Sequence, residues 1–172
     1  MRFKNREIFS IKKGNNYKSL KAIDNVAEKE QYHPFITQAI NRYGLGPDMQ
    51  SIRTFFNALY RILPFYPDPE TEQIIRTVNR SLKDGVANCV DYTVFLSAFL
   101  RRLKIPHKIR MVNTYNTEPG FNHILVVLND GTFLDLVGHQ SQDGSEINKK
   151  VRTLPVFGKT VPYFTKHDKI VA

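Results

Sequence analysis

Residues 92–103 are apolar around most of a helical circumference: Tyr92, Phe95, Leu96, Phe99 and Leu103 form one stripe, and Val94 and Ala98 widen it toward a second face. A helix patterned this way belongs at the centre of a fold, where neighbours cover it on several sides. The 172 residues, 41% of them hydrophobic, suffice for one such core. A single cysteine, Cys89, excludes an internal disulfide and a multi-cysteine zinc site, so packing has to hold the fold and the thiol is free to react.

Other elements can be placed around that helix. Phe35, Ile36, Ala39, Ile40 and Tyr43 follow helical spacing within residues 31–43, and Gly44 stands where a left-handed cap is expected. Asp48 caps a second helix, whose apolar positions Ile52, Phe55, Phe56, Leu59, Tyr60 and Leu63 precede Pro64. Asp68-Pro69-Glu70 reads as a third helix start, with Ile74, Ile75, Val78 and Leu82 as one buried stripe. Residues 105–112 alternate in the manner of a strand that Pro106 begins. The expected organisation is a basic arm or short helix over 1–30, a core over 31–140, and a loop with an extended tail over 141–172.

Register makes the segment from His123 to Val137 informative. Two strands joined by a two-residue Asp130-Gly131 loop would place His123 and Asp135 on opposite faces. A three-residue Asn129-Asp130-Gly131 loop, with Gly131 left-handed, pairs Leu125 with Asp135 instead. His123 and Asp135 then share a face as diagonal neighbours about 7–8 Å apart, within side-chain reach. The three-residue loop is the one predicted.

Cys89 precedes the apolar helix pattern, where the positive end of the helix dipole favours thiolate over thiol. A thiol becomes an efficient nucleophile when an imidazole takes its proton and a carboxylate fixes the far ring nitrogen. Cys89, His123 and Asp135 can fill these roles, with the Cys89 N–H and the Asn88 side chain as candidates to stabilise an oxyanion. His33, His107, His139 and His167 lack metal-ligand spacing, so neither a metal nor a cofactor is expected.

The stretch Asp84-Gly-Val-Ala-Asn-Cys-Val-Asp-Tyr-Thr-Val-Phe-Leu-Ser-Ala-Phe-Leu-Arg-Arg-Leu-Lys-Ile-Pro-His-Lys-Ile-Arg resembles the core of the transglutaminase-like superfamily, which shares the papain-like cysteine protease architecture. The matching features are Cys89 opening the central helix, the Lys104-Ile105-Pro106 turn, His123 in Asn-His-Ile-Leu-Val-Val and Asp135 in Phe-Leu-Asp-Leu. Phe65-Tyr-Pro-Asp-Pro-Glu is similar to phage-encoded and bacterial members. Ala87-Asn88 replaces the family's glycine near the cysteine, and Leu125 its tryptophan after the histidine.

The resemblance implies an α+β fold in which N-terminal helices and a central Cys-bearing helix pack on an antiparallel sheet. It also implies a cysteine hydrolase or acyltransferase acting on amide or isopeptide bonds through a Cys89-His123-Asp135 triad and a thioester. The alternative is a phage virion structural or assembly protein that keeps the fold as an interaction module. Expected partners are a peptide or protein substrate, cell-wall peptide among them, or assembly partners reached through the N-terminal arm and C-terminal tail. The net charge of +9 also attracts acidic partners, but no nucleic-acid-binding motif accompanies it. Neither a signal peptide nor a membrane span is visible, so a cytoplasmic or virion-associated location is expected.

Overall fold

The computed structural model describes residues 7–12, 16–68, 72–112, 123–139, 154–159 and 166–171. Their elements run β1 (Ile8–Lys12), α1 (Asn16–Glu30), α2 (Pro34–Tyr43), α3 (Met49–Ile62), β2 (Glu72–Arg76), α4 (Val78–Asp84), α5 (Cys89–Arg102), β3 (His107–Val112), β4 (His123–Leu128), β5 (Phe133–His139), β6 (Leu154–Gly158) and β7 (Lys166–Val171). The architecture is α+β, with two antiparallel sheets: β1 pairs with β2, and the other five strands lie in the order β6-β5-β4-β3-β7. No helix among the described residues is long and apolar enough to cross a membrane.

Helix α5 is enclosed as its patterning requires, with every residue from Val90 to Leu100 buried. It lies against α1 and against strands β4, β5 and β3 of the large sheet. Phe99 stacks on Phe55 of α3 with ring centroids 4.0 Å apart, and Phe95 meets Phe35 of α2 edge-on at 5.8 Å. Asn88 and Asp91 form a reciprocal capping box at the start of α5: Asn88 Oδ1 accepts from the Asp91 N–H at 2.9 Å, and Asp91 Oδ2 accepts from the Asn88 N–H at 3.0 Å. The helix therefore begins at the cysteine.

The expected caps of the two preceding helices are present. Gly44 ends α2 at φ +60°, and Asp48 caps α3 through the Ser51 N–H at 2.8 Å. Residues 72–82 differ from expectation. Ile74 and Ile75 lie in β2, paired with Ser10 and Phe9 of β1, and Thr77 caps a short α4 instead. Two adjacent isoleucines suit a strand as well as a helical stripe, and the partner strand some sixty residues upstream decides between them.

The boundaries expected at 30/31 and 140/141 do not separate packed units. Leu20, Ile23, Val26 and Ala27 of α1 are buried in the same core as α5, and β6 and β7 form the two edges of the main sheet.

One buried histidine belongs to this framework. Nε2 of His107 meets Ser97 Oγ at 2.8 Å and Nδ1 lies 2.8 Å from the Ile105 carbonyl. A carbonyl only accepts, so the proton sits on Nδ1 and Ser97 donates to Nε2. Burial pushes the His107 pKa down to about 4, from an ordinary 6.5. A folded-state value below the unfolded one means that stability from this group is full above pH 6.5 and is lost as the pH falls through 4. Urea melts at pH 7 and pH 4.5 should show a loss approaching about 3 kcal/mol, smaller in His107→Gln. Equal acid sensitivity in the two proteins would assign the loss to other groups.

Candidate active site

The β4–β5 hairpin sets two of the site's side chains. Val126 faces Leu134 and Val127 faces Phe133. The Leu128 N–H donates to the Thr132 carbonyl, the Gly131 N–H closes a turn onto the Leu128 carbonyl, and Gly131 is left-handed at φ +86°. This is the three-residue Asn129-Asp130-Gly131 loop, and Asp130 Oδ1 braces it by accepting from the Thr132 N–H at 2.9 Å.

That register places His123 and Asp135 on one face, where Nε2 of His123 donates to Asp135 Oδ2 at 2.7 Å. Asp135 Oδ1 accepts from the Val137 N–H at 3.0 Å, so both carboxylate oxygens are held. Both residues are buried, at 7% and 2% exposure, whereas Cys89 is half-buried.

The Cys89 side chain lies close enough to the His123 ring to favour its charged form. Nε2 is committed to Asp135, so a proton from the sulfur would have to go to Nδ1. Burial opposes a charge on this ring, but the Asp135 carboxylate and the thiol outweigh it and hold the His123 pKa well above its ordinary value. A carboxylate, an imidazole and a thiol in series can pass a proton from sulfur to ring and stabilise the imidazolium that results.

Asn88 has a different job from the one its position invites. Its Nδ2 donates to Asp68 Oδ1 at 2.5 Å and to the Ile74 carbonyl at 3.0 Å, which engages both amide hydrogens, while Oδ1 caps the helix. The side chain has no N–H left for an oxyanion, so the Cys89 N–H is the nearer candidate. The segment before Cys89 is fastened on its other side, where the Tyr66 N–H donates to the Ala87 carbonyl at 2.9 Å and the Ala87 N–H to the Pro64 carbonyl at 3.1 Å. Tyr92, three residues on, donates its hydroxyl to the Leu63 carbonyl at 2.5 Å, and burial pushes its pKa upward.

Sequence reasoning did not single out Arg76. Its guanidinium Nη1 meets Asp91 Oδ2 at 2.8 Å and its backbone N–H donates to Asp91 Oδ1 at 2.8 Å, beneath the first turn of α5. Burial pushes the Asp91 carboxyl up to about 6, against the opposing pull of Arg76 and the surrounding N–H donors. The available signal was an arginine directly after two apolar strand residues, combined with an acid at the third helical position after a capping Asn.

The other histidines have separate places. His33 caps α2 by accepting from the Phe35 N–H, and the side chains of His139 and His167 lie outside the described residues. Among the described residues no group of three or more His, Cys, Asp or Glu side chains is arranged to hold a metal ion. Comparisons with protein-family models, with curated proteins and with solved structures each found no match.

Proposed function

We propose that this chain is a transglutaminase-like cysteine hydrolase or acyltransferase with a papain-like core, acting on amide or isopeptide bonds of a peptide or protein substrate. The observation that carries this reading is the series Asp135–His123–Cys89, with a half-buried cysteine at the N-terminus of a buried helix. The resemblance to that superfamily, which covers roughly residues 50–138, supports it from the sequence side.

In this mechanism His123 Nδ1 takes the Cys89 proton and the thiolate attacks the carbonyl carbon, shifting the C=O electron pair onto oxygen. Collapse breaks the C–N bond, and the imidazolium gives its proton to the departing amine. The resulting thioester is released by water in a hydrolase or by a second amine in a transferase. The Cys89 N–H and the positive end of α5 favour both the thiolate and the oxyanion.

The test is the rate of Cys89 alkylation against pH, read by intact mass, in the native protein and in His123→Ala. Alkylation that stays fast well below pH 8 in the native protein, and that follows an ordinary thiol with a midpoint of about 8.5 in the variant, is the expected result. A native profile already like that of an ordinary thiol would remove the enzyme reading and favour an assembly module, which has no need of an activated cysteine.

A further inference from the structure

We infer that the outer edge of β1 is a docking site for an extended peptide in which apolar residues alternate with Asp or Glu, added to the β1–β2 ribbon as a third strand. The hydrogen-bond phase of the ribbon identifies that edge. The Thr77 N–H donates to the Glu7 carbonyl at 2.9 Å, and the register pairs Phe9 with Ile75 and Ile11 with Gln73 further along. Ladder bonds recur at every second residue of an antiparallel pair, so residues 7, 9 and 11 bond β2, and the N–H and C=O groups of Ile8, Ser10 and Lys12 point the other way. No described strand pairs on that side, because β1 and β2 make a sheet of two.

The opposite edge of the ribbon is closed. The β2 groups that point away from β1 belong to Ile74 and Arg76, and side chains take them. Asp68 Oδ2 accepts from the Ile74 N–H at 3.0 Å, Asn88 Nδ2 donates to the Ile74 carbonyl at 3.0 Å, and Asp91 Oδ1 accepts from the Arg76 N–H at 2.8 Å. The outer edge of β1 has no such cover among the described residues, and it has neither the proline nor the bulge that commonly stops an edge from pairing. It ends in Lys12, which discourages a basic strand but not an acidic one.

The two faces of the edge specify the occupant. Phe9 and Ile11 pack against the core yet stay half-buried, so apolar side chains of an added strand would finish covering them. Ile8 and Ser10 are exposed on the other face. Residues 1–13 bring five cations, Arg2, Lys4, Arg6, Lys12 and Lys13, against the carboxylate of Glu7, which already accepts from Asn79 Nδ2. The one acid of β2, Glu72, stands across from Lys12 and leaves the balance positive. An acidic strand meets that charge favourably, whereas a second copy of β1 would set the same cations against one another.

The test is amide hydrogen exchange read by NMR on the full chain, with and without an excess of the blocked peptide Glu-Val-Glu-Val-Glu-Val. The peptide should slow exchange at the Ile8, Ser10 and Lys12 amides by about tenfold or more, and should leave Phe9 and Ile11, already bonded to β2, unchanged. The matching Lys-Val peptide should bind about tenfold more weakly at low salt. Ser10→Pro removes an N–H that β2 does not use, so it should weaken binding of the acidic peptide about tenfold while β1 and β2 stay paired. Four results overturn the inference: no added protection at the three amides, equal protection by the Lys-Val peptide, unchanged affinity in folded Ser10→Pro, or protection that rises with protein concentration alone, the mark of a second copy. Should Ser10→Pro fail to fold, the exchange pattern of the native protein decides. None of these readouts involves Cys89, so the docking edge and the thiol chemistry fail separately.

Discussion

Asp135→Asn is expected to slow Cys89 alkylation at pH 6.5 by roughly 10- to 100-fold while the chain stays folded. The exchange keeps the side chain's shape, and the new amide oxygen can still accept from the Val137 N–H as Oδ1 does now. What changes is the partner of His123 Nε2. A carboxylate can only accept, which fixes the ring's proton on Nε2 and makes Nδ1 the nitrogen that would take one from sulfur. An amide can turn its N–H₂ toward Nε2, moving the ring proton to Nδ1, where it faces the thiol and blocks the transfer. The imidazolium also loses the negative charge that stabilises it.

The same substitution has a signature in stability against pH. His123 has a folded-state pKa above its unfolded value of 6.5, so its contribution to stability is full below pH 6.5 and is lost as the pH rises through the folded value. Urea melts between pH 6 and pH 10 should find native protein and Asp135→Asn furthest apart at the acid end and converging toward the alkaline end. Parallel stability curves together with an unchanged alkylation profile would mean that the His123–Asp135 bond does nothing for the thiol.

Much of this site was legible in the sequence because its determinants are local. The Asp130-Gly131 pair and the strand pattern fix a loop length, the loop length fixes a register, and the register puts His123 and Asp135 on one face. Cys89 could be placed at the helix start because the apolar pattern begins at once after it. The elements that resisted reading depend on distant partners. In α1, Leu20, Ile23, Val26 and Ala27 form a narrow stripe among lysines, glutamates and asparagines, which resembles a solvated arm until α5 is present to cover it. Strand β2 exists because β1 pairs with it. Asn88 looked available for chemistry because its two amide acceptors, Asp68 and the Ile74 carbonyl, lie 20 and 14 residues away.

Phe99→Ala should have the largest effect on stability, a loss of about 3–5 kcal/mol measured by urea denaturation at pH 7. Phe99 is fully buried in the C-terminal part of α5, and its ring lies nearly parallel to that of Phe55, tilted by 5°. Removing it takes away the transfer free energy of the ring and leaves a void that the enclosed helix cannot collapse to fill, since α1, α3 and the sheet surround α5. The site should be spared, because the capping box, the Arg76–Asp91 pair and the His123–Asp135 bond all lie at the other end of the helix or beyond it. The folded fraction of Phe99→Ala should therefore alkylate with the native pH midpoint, the reverse of Asp135→Asn, which moves the midpoint and leaves the core intact. A midpoint displaced in Phe99→Ala would show that the packing of α5 sets the thiol's reactivity directly, and that the polar contacts around Cys89 are insufficient to hold it in place.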